Sequence, residues 1–212
     1  TAARRRERSA GKSLHTGLNS PFSLQNFSSL RHGEFLKNTA NTALVPFRQQ
    51  LLATWYGGAR PYNLNPEDFS TLGQEDFHGT MKRGMIAHPK IDPQTGELIY
   101  LDRSFVSSLV SKTIYHQVVK PSGEAATPIA IELLRPEAMH DFAITKNHSV
   151  ILDFPLRTMI KKGPGWRDET RSRIGILPRR AGPDAKVQWF ETSNNVCLHV
   201  VNAFESDHKV IL

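Results

Sequence analysis

Apolar and polar residues alternate in short runs along most of this chain, and each run meets a turn signal before it is long enough for a helix. The clearest run is residues 112–120, where Ile114, His116 and Val118 face one way and Thr113, Tyr115 and Gln117 the other. Further strands are expected at 42–47, 50–56, 97–101, 128–134, 173–177 and 187–191. Gly57-Gly58, Asp92-Pro93-Gln94-Thr95-Gly96, Pro121-Ser122-Gly123-Glu124 and Asn194-Asn195 punctuate them. Residues 62–66 lead into a turn, 67–77 read as a polar loop, and 158–173 as a long basic loop over one face. The pattern is that of an all-β protein.

Three stretches carry a histidine where an apolar strand would rather hold Val or Ile. Residues 139–156 (MHDFAITKNHSVILDFPL) read as strand, turn, strand, with His140, Phe142 and Ile144 on one face and Asp141, Ala143 and Thr145 on the other. Residues 146–149 form the polar turn, 150–152 restart the apolar run, and Pro155 ends it. Alone, His140 would read as a hydrogen-bonded core histidine. However, 84–88 and 196–204 are also expected as strands, and they carry His88 and His199. The spacings are 140 − 88 = 52 and 199 − 140 = 59. A four-stranded propeller blade takes about 40–50 residues, so each blade would send one imidazole inward from its innermost strand to a metal on the axis. Imidazole suits Zn, Cu, Fe and Ni alike, so the residues alone leave the ion open. His116, between apolar same-face neighbours, is expected to be structural, and His78 to lie in a surface loop.

Charge changes the picture little. The chain has 212 residues, a net charge of +7 and a pI near 9.7. The excess is clustered: Arg4, Arg5, Arg6, Arg8 and Lys12 against Glu7 near the start, and a second group between Lys161 and Arg180. No aromatics interleave with these clusters at a regular step and there is no RNA-recognition signature, so nucleic acid is not an expected partner. Residues 1–32 read as a basic arm or loop, or a short organelle transit segment. The basic clusters leave open a peripheral contact with an anionic membrane. The single Cys197 excludes an internal disulfide framework and reads as a small buried hydrophobe on the His199 face. No apolar run approaches transmembrane length. A cytoplasmic protein is expected, with membrane association or a plastid location left open.

The segments AHPKIDPQTGEL, MHDFAIT…DFPL, RIGILPR and WFE…HVVNAFE resemble the carotenoid cleavage oxygenases, a family that includes the lignostilbene dioxygenases and a retinoid isomerohydrolase. The likeness runs from about Gly33 to Leu212, and more weakly before it. It implies a seven-bladed β-propeller with Fe(II) held by four histidines. Three map to His88, His140 and His199, and the fourth would lie beyond Leu212. Residues 33–212 would then be the N-terminal part of a propeller, about three blades and part of a fourth. The ends of the chain, Thr1 and Leu212, suggest a piece of a longer protein that is inactive by itself.

The resemblance also implies the chemistry: oxidative cleavage of a conjugated C=C bond of a carotenoid or apocarotenoid with O2, giving carbonyl products. A stilbene substrate, an isomerising parent, and a truncated propeller that only binds are the alternatives. Where the family carries a glutamate that fixes a ligand histidine, this chain has Tyr56. Stilbene-cleaving relatives tend to carry Lys where Trp55 stands, which favours carotenoid-like substrates. Glu205 is a candidate to support the metal region, or else a strand-end salt bridge. Phe142, Phe154, Trp189 and Phe204 are expected chiefly as core, with some lining a substrate tunnel.

Overall fold

The computed structural model describes residues 38–155, 171–193 and 195–212. The expected basic arm, most of the basic loop and Asn194 of the expected turn lie outside these. Among the described residues, fourteen strands and one short helix follow one another. The first sheet is a meander of β1 (Leu44–Phe47), β2 (Gln50–Ala53), β3 (Tyr62–Leu64) and β4 (Thr71–Gln74). The second contains β5 (Lys90–Ile91), β6 (Leu98–Asp102), β7 (Thr113–Val119) and β8 (Ile129–Glu132), with α1 (Phe105–Val110) between β6 and β7. The third contains β9 (Ala143–Ile144), β10 (His148–Asp153), β11 (Ser172–Pro178) and β12 (Gln188–Thr192). A hairpin of β13 (Phe204–Ser206) and β14 (Lys209–Ile211) follows. All strand pairings are antiparallel between sequence neighbours.

This order follows from how the apolar residues are shared. Leu98, Ile99, Tyr100 and Leu101 of β6 are all buried, because β6 has a neighbouring sheet on each face. Leu98 and Tyr100 join a core with Phe47, Leu52, Phe77 and Met85, which seats the second sheet on the first. Ile99 and Leu101 point the other way, into a core with Phe142, Ile151 and Leu177 of the third sheet. Strand β10 repeats the device: Ile151 belongs to that core, while Val150 and Leu152 pack towards Ala203, Val200 and Val210. Period-two geometry turns one apolar strand into two interfaces, and face-to-face stacking results.

Buried polar groups tie the sheets as well. Arg179, after β11, forms an ion pair with Asp92 after β5 at 2.8 Å, both side chains 4% exposed. His116 is buried on β7 and its Nε2 lies 2.9 Å from Ser149 Oγ, which bears out the structural role expected for it. His78 is exposed in a loop at φ 57°.

Several local expectations are corrected. Residues 67–77 are not all loop: Thr71–Gln74 forms the outer strand β4, beside β3 where only a turn lead-in was expected. Both are short, and their pairing is interrupted by a register shift at Asn63/Leu64. The turn before β10 is tighter than residues 146–149, since His148 and Ser149 already belong to the strand. The helix α1 was unforeseen. It is six residues long, with a capping box in which Ser104 accepts from the Ser107 N–H and Ser107 Oγ accepts from the Ser104 N–H. The three histidines do not lie within strands, but in the segments that lead into β5, β9 and β13. Of the proposed tunnel aromatics, Phe142 and Phe154 are core. Trp189 is half-buried under the Arg173 guanidinium, and Phe204 is exposed. Among the described residues no helix is long and apolar enough to cross a membrane.

Candidate metal centre

Each histidine is delivered to the start of a sheet's first strand by a segment outside the named strands, held partly by side-chain carboxylates. The segment before His88 is held at its root by Asp102, whose carboxylate accepts from the backbone N–H groups of Lys82, Arg83 and Gly84 at 2.7–2.9 Å. Met85 bridges to Ala59 and Asp102, and Thr54 Oγ1 donates to the Ala87 carbonyl at 2.7 Å. Pro89 follows His88 and has no N–H to offer a strand partner. Around His140, Arg103 Nε donates to the Glu137 carbonyl at 2.8 Å, and Asp141 Oδ1 accepts from the Phe142 N–H. Beyond His199, the Val200 N–H is taken by Asp141 Oδ2 at 2.9 Å. The Asp102 and Asp141 carboxylates thus satisfy N–H groups along these segments that no strand partner takes.

The three imidazoles converge. Their ring centroids lie 4.7, 4.7 and 4.9 Å apart, close to an equilateral triangle, with every pair edge-to-face. One ligand nitrogen from each falls within 4.8 Å of the others. His88 Nε2 and His140 Nε2 are 3.1 Å apart. Two nitrogens on one ion, each at about 2.1 Å, would be about 3.0 Å apart at a right angle and about 3.4 Å apart at the tetrahedral angle. His88 and His140 are half-buried and His199 is exposed. Burial, then the neighbouring His88 and His199, pushes the His140 pKa down to about 4. Burial also lowers that of His88, against the opposing pull of Asp141. Neutral imidazoles are the form that binds metal. An all-nitrogen donor set of this spacing fits a first-row transition ion, and the residues present therefore suit the group the sequence suggested.

The other two candidates sit elsewhere. Tyr56 is half-exposed, its ring edge-on to Trp55 at 5.2 Å and its backbone N–H donating to Thr42. Among the described residues no hydrogen bond joins it to a histidine. Glu205, on β13, clamps the turn before β10: it accepts from Thr145 Oγ1, from the Asn147 N–H at 2.9 Å and from Asn147 Nδ2 at 2.7 Å, with His148 Nδ1 at 3.0 Å. These bonds, the one from Thr145 foremost, pull its pKa down to about 2. Cys197 is only partly buried, and its Sγ–H donates to the His199 carbonyl. Sequence reasoning placed Asp141 on the face opposite His140 but gave it no task. Its partners, Lys90 and Val200, are 51 and 59 residues away.

Stacked antiparallel sheets, with a histidine leading into the second sheet, the third sheet and the final hairpin and all three aimed at one point, define a β-propeller with an inner histidine cluster. The chain belongs to the carotenoid cleavage oxygenase family: the model of the retinal pigment epithelial membrane protein family matches residues 1–212. It is 35% identical to carotenoid 9,10(9',10')-cleavage dioxygenase 1 of Pisum sativum over 82% of its length and 33% of the pea protein's. It is 30% identical to isoeugenol monooxygenase of Pseudomonas putida, over 97% of this chain and 43% of that protein. Among solved structures it is similar to lignostilbene dioxygenase of Pseudomonas brassicacearum, with 25% identity, TM-score 0.67, and coverage of 90% of this chain and 44% of that one. A variant of the apocarotenoid oxygenase of Synechocystis gives 27% identity and TM-score 0.69 over 99% of this chain and 46% of the other. The chain thus spans less than half the length of these relatives, and its three sheets and hairpin are part of the family's seven-bladed propeller.

Proposed function

We propose that the protein carrying this chain is a non-haem iron(II) dioxygenase. It cleaves a conjugated C=C bond of a carotenoid or apocarotenoid with O2, and His88, His140 and His199 are iron ligands. The observation that supports this is the convergence of three imidazoles within 4.8 Å, in a chain of this family. The overall change balances without a further reductant: the double bond and one O2 become two carbonyl groups. Bound iron(II) would supply the redox chemistry that lets dioxygen react with the alkene. The chain's own part is to hold the ligands. Burial keeps His140 uncharged, so its lone pair is free near neutral pH. The sheet cores behind Phe142 and Ala143 fix the segment from which His140 projects. Residues 33–212 supply three of the ligands and the rest of the propeller would complete the site.

A second reading is cleavage of a stilbene or of a phenylpropene side chain, favoured by the likeness to lignostilbene dioxygenase and isoeugenol monooxygenase. Against it stands Trp55, 4% exposed, where stilbene-cleaving relatives tend to carry a lysine. The test is to offer the iron-loaded complete protein an apocarotenal, a hydroxystilbene and isoeugenol under 18O2, and to follow products by mass spectrometry. Labelled aldehydes or ketones from the polyene support the first reading. Products only from the phenolic substrates support the second. No turnover of any of them, with iron bound, contradicts both.

A further inference from the structure

We propose that Asp141 is the positioning residue of the histidine cluster, the one group that fixes all three ligand-bearing segments to one another; this rests on the metal reading above. Its side chain is 3% exposed. Oδ1 accepts from Lys90 Nζ at 2.6 Å and from its own neighbour's Phe142 N–H at 2.8 Å, and Oδ2 accepts from the Val200 N–H at 2.9 Å. Lys90 stands two residues after His88, Asp141 directly after His140, and Val200 directly after His199. One carboxylate therefore holds a residue next to, or nearly next to, each ligand.

The chemistry requires a carboxylate. Two of its bonds go to backbone N–H groups and the third to an ammonium, so all the partners are donors. An ionised carboxylate offers acceptor sites only, on two oxygens, and charge-assisted bonds of this kind are about twice as strong as neutral ones. Asparagine has the same shape but turns one acceptor into an NH2 donor, which would face either the Val200 N–H or the Lys90 ammonium. The ammonium also keeps the site's charge in balance: it neutralises the carboxylate and lies 5.8 Å from the centre of the Phe142 ring. Adjacent residues on an extended segment point to opposite sides, so Asp141 works from behind the cluster while His140 faces it. Losing it would leave the three imidazoles present but free to drift relative to each other, and a fraction of an ångström is enough to weaken a metal site.

The test uses the complete protein, stripped of metal and titrated with Co(II). Affinity is read by competition with a chelator, and ligand geometry by the visible d–d absorption. Asp141→Asn should weaken Co(II) binding by about 10–100-fold, the range for residues that orient ligands, and change the intensity of the d–d bands. Asp141→Ala should do the same or more. Lys90→Met removes one tie at a quarter-exposed side chain and should cost severalfold in affinity. Arg179→Met is the control: it breaks a more deeply buried ion pair between the same two sheets, so it should lower stability yet leave the cobalt spectrum and affinity as in the wild type. Wild-type affinity and spectrum in Asp141→Asn, or no loss in Lys90→Met, would overturn the proposal. So would Arg179→Met shifting the spectrum as much as the Asp141 variants do. If the wild type takes up no cobalt, the metal reading itself falls, and the two failures are told apart.

Discussion

Glu205 offers a quantitative check on how the fourth element is held to the third sheet. Its carboxylate gathers the Thr145 hydroxyl and the Asn147 N–H and amide on the turn before β10, and His148 Nδ1 at the start of that strand. These bonds lower its pKa from 4.5 to about 2. At about 1.4 kcal/mol per unit, complete coupling of that shift to folding would be worth about 3 kcal/mol. The side chain is 24% exposed, so solvent screening trims the expectation to about 2 kcal/mol. The folded pKa lies below the unfolded one, so the unfolded chain takes up the proton first. The stabilisation is therefore present above pH 4.5 and drains away as pH falls from 4.5 through about 2. Glu205→Gln keeps the size and one oxygen but removes the charge. It should be less stable than wild type by about 2 kcal/mol at pH 7, with the gap closing to nearly nothing at pH 2. Urea unfolding of both proteins across this range measures the gap directly. A gap that stays constant down to pH 2, or that is already absent at pH 7, would refute the clamp.

Three further outcomes are expected. Arg179→Met leaves Asp92 buried without its partner and should cost about 3–5 kcal/mol, whereas adding Asp92→Asn should recover much of that; urea midpoints for the single and double variants decide it. Phe142→Ala opens a hole in a fully buried site between the second and third sheets and should cost about 3–5 kcal/mol, read by the same unfolding curves. Gly58→Ala would put a methyl 2.2 Å from the Arg103 carbonyl oxygen at φ +71°, so it should destabilise by about 2 kcal/mol or more; a neutral effect on thermal unfolding would contradict the close packing of these two backbones.

Much of the architecture was legible because β strands declare themselves by period. Residues 112–120 alternate cleanly and become β7 (Thr113–Val119) almost unchanged. The pair at 42–47 and 50–56 becomes β1 and β2 with a two-residue turn, Arg48 and Gln49 both at positive φ. Strands β3 and β4 were hidden because they are only three and four residues long and Asn, Pro and Gly in NLNPEDFSTLGQ read as turn. The helix α1 was hidden because six residues with Val106 and Val110 exposed carry no amphipathic pattern.

At the site, the blade-length spacing of His88, His140 and His199 foretold that they would share one place. It did not foretell that they sit outside the strands. There Asp102 takes N–H groups ahead of His88, and Asp141 takes those after His140 and His199, the last 59 residues distant. Long-range acceptors of this kind leave no trace in local periodicity. Tyr56 and Glu205 were nominated by resemblance alone, and the fold puts one on Trp55 and the other on a turn.

The measurement that bears most directly on the account is the iron content of the complete protein beside that of His140→Ala, each reconstituted with Fe(II) and then assayed for polyene cleavage. One tightly held iron and carbonyl products are expected for the wild type, and neither for the variant, with far-UV circular dichroism unchanged. Iron bound equally well by both proteins, or cleavage that survives loss of His140, would contradict it.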